Sequence, residues 1–266
     1  EFQLLNVKSD YIYTAGFTVV DDIPSTQEFV FAKYNNRGKE IYRRAFPVYA
    51  SYFKREKPSH LTISPNGTYV VCLDSTILKF NENDEELKEI YLKTESALLA
   101  VEFFNPSQCF LSTADSIYRT NDNFGLSFGV GWQDGVKKIE VFNDTLLVLS
   151  DKRIVRFDLN LNLLDTLYED QNELQDFKIF DNEVWIQKER KTLIELIKLR
   201  KGIITLVGGH PISMTGSNFF IADNMTIFTG NSFSGQMGNF AATLKNTETT
   251  TTPDLELLDF DISNIR

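Results

Sequence analysis

Histidine and cysteine are all but missing from this chain, with two of each among 266 residues, and each shortage closes off a class of function. Cys72 and Cys109 are too few for a disulfide framework and stand at no metal-ligand spacing. With only His60 and His210 to draw on, a Ser-His-Asp arrangement has almost nothing to use, and no Gly-x-Ser-x-Gly, His-Glu-x-x-His or phosphate-cradling loop occurs. No catalytic residue, metal site or cofactor is therefore expected. No apolar run approaches the roughly 20 residues of a membrane helix, so no membrane-spanning segment is expected. Basic residues are outnumbered 27 to 37 by acidic ones and are spread along the chain, which argues against a surface that tracks nucleic-acid phosphates.

What the chain has in plenty is aromatic residues, 22 Phe and 10 Tyr, and a short apolar-apolar-basic-aromatic-Asn signature that returns six times. It reads Phe31-Ala32-Lys33-Tyr34-Asn35, Ile77-Leu78-Lys79-Phe80-Asn81, Ile117-Tyr118-Arg119-Thr120-Asn121 and Ile154-Val155-Arg156-Phe157-Asp158. Weaker copies follow at Ile194-Glu195-Leu196-Ile197-Lys198 and Ile227-Phe228-Thr229-Gly230-Asn231. Upstream of each clear copy the order repeats: a strand, a tight turn, a second strand. Leu98–Phe104 with Asn105-Pro106-Ser107 and Cys109–Ser112 shows it, as do Ile139–Phe142 with Asn143-Asp144, and Phe177–Phe180 with Asp181-Asn182. The signature forms the third strand, and a fourth follows a polar turn such as Asn35-Asn36-Arg37-Gly38.

The fourth position of the signature falls at residues 34, 80, 120, 157, 197 and 230, at spacings of 46, 40, 37, 40 and 33. A four-stranded antiparallel unit recurring at about 40 residues is the footprint of a propeller blade. The expected fold is all-β, a six-bladed β-propeller spanning 1–245. A β-sandwich would not repeat one strand signature in phase, a solenoid would repeat at a shorter period, and seven blades fit six copies less well. Within such blades the two cysteines sit in second strands at offsets three residues apart, about 10 Å of strand, beyond the roughly 7 Å reach of a disulfide. Two buried free thiols are expected. The aromatic column should form the core between blades, the Asn/Asp column should start the hairpin turn, and the basic column should be stems with solvated heads.

Residues 246–252, Asn-Thr-Glu-Thr-Thr-Thr-Thr, read as a linker, and Pro253–Ile262 alternates well enough to be a strand. That strand either closes the ring or begins a following domain, which makes 246–266 the hand-over to another module and the whole a monomeric part of a longer chain.

Some residues carry family resemblances. Gln27–Tyr42, with Phe31-Ala32-Lys33-Tyr34-Asn35-Asn36-Arg37-Gly38 at its centre, resembles the hairpin of secreted bacterial propeller repeats. Ile117–Phe128 resembles the Asp-box hairpin of sialidase-like and sortilin-like propellers, with Asn121 and Asn123 standing for its Ser and Asp and Gly125, Ser127 and Phe128 completing it. Each resemblance covers one blade. An Asp-box stabilises a turn and makes no active site. Sialidase chemistry further requires three clustered arginines and a tyrosine nucleophile, whereas Arg43 and Arg44 point to opposite faces of a strand and Arg119 and Arg156 belong to the repeated column. The linker and the Asn-, Lys-, Ile- and Phe-rich usage are similar to surface and secreted proteins of Bacteroidota. This resemblance implies an export signal and an extracellular, cell-surface or periplasmic address.

His60 and His210 each lie twenty residues before the signature's fourth column, and Lys137 takes the same place in blade four. All three should start innermost strands at one mouth of the central channel, which makes them candidate ligand-binding residues. Asp158-Leu159-Asn160-Leu161-Asn162 has the opening spacing of a calcium loop, but Leu163 stands where the sharp turn needs Gly, and a hairpin turn is expected instead. Asp74-Ser75-Thr76, Asp115-Ser116-Ile117, Asp144-Thr145-Leu146 and Asp165-Thr166-Leu167 match a Bacteroidota O-glycosylation pattern, with turn formation as the competing cause. The expected function is a non-catalytic binding or scaffold propeller with a protein or glycan partner. The alternative is a glycan-active hydrolase or lyase using loop residues at the channel. Sequence difference between blades points to Pro47–Ser59, Gly125–Gly135 and the channel-edge histidines.

Overall fold

The computed structural model describes residues 4–8, 11–19, 26–49, 58–82, 88–92, 94, 96–190, 193–200, 202–211, 214–222, 225–232 and 238–245. Residues 50–57 of the Pro47–Ser59 segment, and the whole of 246–266, lie outside them. The described residues are all-β, with no helix. The first sheet contains β1 (Leu4–Lys8), β2 (Tyr11–Val19), β3 (Thr26–Asn35) and β4 (Glu40–Tyr49), and the second β5 (His60–Ile63), β6 (Tyr69–Cys72), β7 (Thr76–Phe80) and β8 (Lys88–Tyr91). The third runs β9 (Leu98–Asn105), β10 (Gln108–Thr113), β11 (Ser116–Asn121) and β12 (Leu126–Gly131). The fourth runs β13 (Lys138–Phe142), β14 (Thr145–Leu149), β15 (Arg153–Asp158) and β16 (Leu163–Glu169). The fifth comprises β17 (Leu174–Phe180), β18 (Glu183–Arg190), β19 (Leu193–Arg200) and β20 (Ile203–Pro211). The sixth has three described strands, β21 (Met214–Ala222), β22 (Met225–Ser232) and β23 (Gly238–Lys245). Every sheet is an antiparallel meander in chain order, and five of the six have four strands, as the repeat predicts.

The chain divides into two compact units, residues 1–148 with 156–164, and residues 149–155 with 165–266. In the first unit the leading strands of consecutive sheets are neighbours, β1 beside β5, β5 beside β9 and β9 beside β13. The reason is visible in β6, whose four residues Tyr69-Val70-Val71-Cys72 are all buried. Alternate side chains leave opposite faces of a strand. Tyr69 and Val71 enter the core shared with the first sheet, while Val70 and Cys72 enter the core shared with the third. A sheet that is apolar on both faces stays in water only by stacking on two neighbours. Phe80 of the aromatic column inserts among first-sheet rings, with centroids 5.1 Å from Phe31 and Phe46 and 6.0 Å from Phe29, all edge-on. Cys72 and Cys109 share the other core as buried free thiols.

The Asn/Asp column caps the hairpin after the third strand in the first, third and fourth sheets. Asn35 Oδ1 accepts from the N–H of Arg37 and Lys39, Asn121 Oδ1 from Asn123 and Gly125, and Asp158 Oδ1 from Asn160 and Asn162. Asn121, at the Ser position of the Asp-box pattern, is therefore the capping residue. The left-handed residue of that turn is Phe124 (φ 59°), matched by Gly38 (φ 74°) and Leu161 (φ 64°) in the sister turns. Gly125 is not in that conformation, and Gly125–Gly135 is mostly the fourth strand β12 rather than a loop. Asn143-Asp144 and Asp181-Asn182, both pairs with positive φ, close β13–β14 and β17–β18 as two-residue turns.

The basic column departs from expectation, because its heads are bound to protein. For Lys33, Lys79 and Arg119 the head reaches the turn after the third strand of the next sheet. Lys33 Nζ lies 2.7 Å from Glu82 Oε1, Lys79 Nζ donates to the Asp122 carbonyl at 2.6 Å, and Arg119 Nη1 donates to Asn160 Oδ1 at 2.6 Å. A second repeated joint ties each crossover back to the turn between second and third strands. Leu92 and Leu98 donate to the carbonyls of Ser75 and Asp74, Trp132 and Val136 to those of Asp115 and Ala114, and Asp170 and Leu174 to those of Lys152 and Asp151.

Candidate functional site

In the first unit an open cleft of about 510 Å³ is lined by Tyr13, Lys33, Ile63, Asn66, Gly67, Thr68, Tyr69, Asn81 and Glu82. Register places its members. Tyr13 pairs with Lys33 across β2 and β3, and Tyr69 pairs with Phe80 across β6 and β7, which sets Asn81 and Glu82 at the cleft as the chain leaves β7. The turn from β5 to β6 supplies the remaining wall. Gly67 takes φ 84° there, the Thr68 N–H donates to Ser64 Oγ at 2.9 Å, and the Thr68 hydroxyl donates to Asn66 Oδ1 at 3.1 Å. The Ser64 hydroxyl is hydrogen-bonded to the same Asn66 oxygen.

At the centre, Glu82 Oε1 takes both the Lys33 ammonium and the Tyr69 hydroxyl. The ammonium also sits over the Tyr11 ring, 4.5 Å from its centroid, and 5.8 Å from that of Tyr13. These contacts fix protonation. The hydrogen bonds from Lys33 and then Tyr69 hold the Glu82 carboxyl below its ordinary range. Burial pulls the Lys33 ammonium down, but its hydrogen bond and charge interaction with Glu82 outweigh burial and leave it raised. Burial, followed by the bond to Glu82, pushes the Tyr69 phenol well up, and burial raises Tyr13. Near neutral pH the cleft holds one cation, one anion and two protonated phenols.

The three residues expected at the starts of innermost strands take different places in their own sheets. His60 does begin β5, and its Nε2 lies 3.3 Å from Glu102 Oε1 on the adjacent β9. Lys137 immediately precedes β13. His210, however, sits in β20 opposite Ile194, in the last strand of the fifth sheet and not at the start of the sixth. The fifth sheet's strands are long, β20 having nine residues where β8 has four, so a fixed offset counted back from column 230 lands in the preceding sheet. Asp158 to Asn162 forms a capped hairpin turn, as expected.

A second polar cluster lies in the other unit and is satisfied internally. Lys188 Nζ is 2.7 Å from Asp170 Oδ2 and 3.6 Å from Glu195 Oε2, and Tyr168 donates its hydroxyl to Asp170. Among the described residues no group of three or more His, Cys, Asp or Glu is placed to hold a metal, and no helix is long and apolar enough to cross a membrane.

The cleft was hidden in sequence because Lys33 carries the same signature as Lys79. The local signal was the alternating pair Tyr11 and Tyr13 facing it from β2, which the later copies lack.

No family model matches the chain, and no curated protein matches it in sequence. Solved structures do resemble it. A luciferin-regenerating enzyme superposes with a TM-score of 0.58 at 10% identity, covering 94% of each chain. PorZ, described as a bacterial surface component of the type-IX secretion system of Porphyromonas gingivalis, gives 0.56 at 11% identity over 97% of this chain and 37% of its own. The WD40 domain of Pan2 from Neurospora crassa gives 0.52 at 8% identity over 81% of this chain and 75% of its own. Likeness at such low identity is one of fold: the chain is an all-β array of small antiparallel sheets of the propeller type.

Proposed function

We propose that this chain is a non-catalytic binding module of a secreted or cell-surface bacterial protein, a six-bladed propeller over 1–245 that presents the Tyr13–Lys33–Tyr69–Glu82 cleft to a partner. The observation that carries this reading is the protonation lock: every titratable group lining the cleft is held in the state it already has at neutral pH. A glycan hydrolase would need two carboxyl groups about 5–10 Å apart. Among the described residues Glu82 is the single carboxylate lining this cleft. The surface address draws support from the composition and from the fold shared with PorZ.

The test pairs a binding screen of the 266-residue chain, against immobilised glycans and surface-protein extracts, with assays for polysaccharide cleavage. Binding weakened by Glu82→Gln, without turnover of any bound polysaccharide, is the expected result. Cleavage that Glu82→Gln abolishes would overturn the reading in favour of a glycan-active enzyme.

A further inference from the structure

We infer that the ligand of this cleft is an uncharged, polyhydroxylated one, a short neutral glycan, an inference that rests on the binding reading above. The cleft's charge balance comes first. Lys33 and Glu82 neutralise each other at 2.7 Å. An anionic ligand would have to draw Lys33 from Glu82, and a cationic one Glu82 from Lys33, each giving up a charge-assisted hydrogen bond. A ligand without charge keeps the pair intact and uses what is left of its hydrogen-bonding capacity. Glu82 Oε1 is occupied by Lys33 and Tyr69, which leaves Oε2 to accept from hydroxyl groups.

Next is the polar character of the walls. Asn66 is exposed, and with its Oδ1 held by the Ser64 and Thr68 hydroxyls its amide offers N–H donors. Gly67 leaves the space where a Cβ would stand empty to 4 Å, so a ligand can approach the backbone. Among the described residues Ile63 is the one aliphatic side chain in the lining, too little to hold a lipid or an apolar peptide anchor. The volume, about 510 Å³, falls in the range that encloses small ligands and is small for a protein epitope. Carboxylate and amide groups around a concave site match a sugar's alternating donors and acceptors without calling on net charge.

The experiment is titration calorimetry of the 266-residue chain with neutral probes, cello-, xylo-, manno- and maltohexaose, and charged ones, polygalacturonate, heparin fragments and chitosan oligomers. At least one neutral oligosaccharide should bind with Kd below about 1 mM. Its affinity should change less than about twofold between low and high salt, because no ionic contact is screened. Asn66→Ala, an exposed turn substitution checked for folding by circular dichroism, should weaken it about three- to tenfold. Glu82→Gln should weaken neutral binding and, by leaving Lys33 without its anion, raise affinity for polygalacturonate. Binding confined to charged probes, or strongly salt-dependent, overturns the neutral-glycan inference. So does binding of a protein that Asn66→Ala and Glu82→Gln weaken with no sugar bound, although it leaves the binding-module reading standing. Cleavage of a bound neutral sugar would do the reverse.

Discussion

Phe124 holds a left-handed backbone that side-chain-bearing residues rarely adopt, yet it is 1% exposed and sits in the core with Cys72, Val101, Cys109 and Leu111. Two opposing terms meet there. The left-handed conformation costs an L-residue about 1–2 kcal/mol, while truncating a buried Phe to Ala costs about 3–5 kcal/mol in lost transfer energy and cavity formation. Burial wins, and that is why a phenyl ring stands where the first hairpin uses Gly38. Phe124→Ala should therefore lose about 4 kcal/mol, keeping the strain and forfeiting the packing. Phe124→Gly forfeits the same packing but relieves the strain, so it should retain about 1 kcal/mol more stability than the alanine variant. The mirror substitution, Gly38→Ala, should cost about 1 kcal/mol from backbone strain, since nothing lies within 4 Å of the added Cβ. Urea unfolding followed by far-UV circular dichroism reads these directly; with a slope of about 2 kcal/mol per M, the alanine variant shifts the midpoint by about 2 M. An alanine variant as stable as the glycine variant would refute the conformational half of the reasoning. A loss below about 1 kcal/mol for both would refute the packing half.

Asp170 is held well below the usual carboxylate range: burial pushes it up, but the hydrogen bond from Lys188, with those from Asn172 and Tyr168, outweighs burial. A depressed carboxyl stabilises the fold above its unfolded pKa of about 3.9 and loses that contribution as pH falls through the folded value. Lys188 is raised, so its share is present below about 10.4 and lost as pH rises. Asp170→Asn should cost about 2 kcal/mol at neutral pH and flatten the acid side of a melting-temperature profile; a parallel acid limb in the variant would refute the linkage. Burial pushes the Cys109 thiol up to about 12 and raises Cys72 as well. Neither should react with a water-soluble disulfide reagent in the native protein, whereas both should titrate in denaturant; a rapid native-state thiol would contradict the buried pair.

The repeat was legible in sequence because strand alternation and turn chemistry act over a few residues, and each copy states them again. Asn35, Asn121 and Asp158 could be recognised as turn starters from position alone. His210 was misplaced because strand length is set by pairing partners, and β20 extends as far as β19 can pair with it. The cleft stayed hidden for a related reason. Its residues come from β2, β3, β5, β6 and two turns, and only stacking of the first two sheets gathers them. The basic column was misread for the same cause: its acceptors, Glu82, Asp122 and Asn160, lie one repeat further along the chain.

That one-repeat offset has a consequence for how such a chain grows. Donor and acceptor of the bridge are both carried by the second and third sheets, the basic residue on the third strand and the acceptor in the turn just after it. A unit duplicated in tandem arrives with half of the joint behind it and half of the joint ahead, so copy number can change without inventing a new contact. The three bridges are nevertheless chemically distinct, ammonium to carboxylate, ammonium to carbonyl and guanidinium to amide. Each junction thus has its own chemistry, and the first of them, Lys33 with Glu82, lines a cleft.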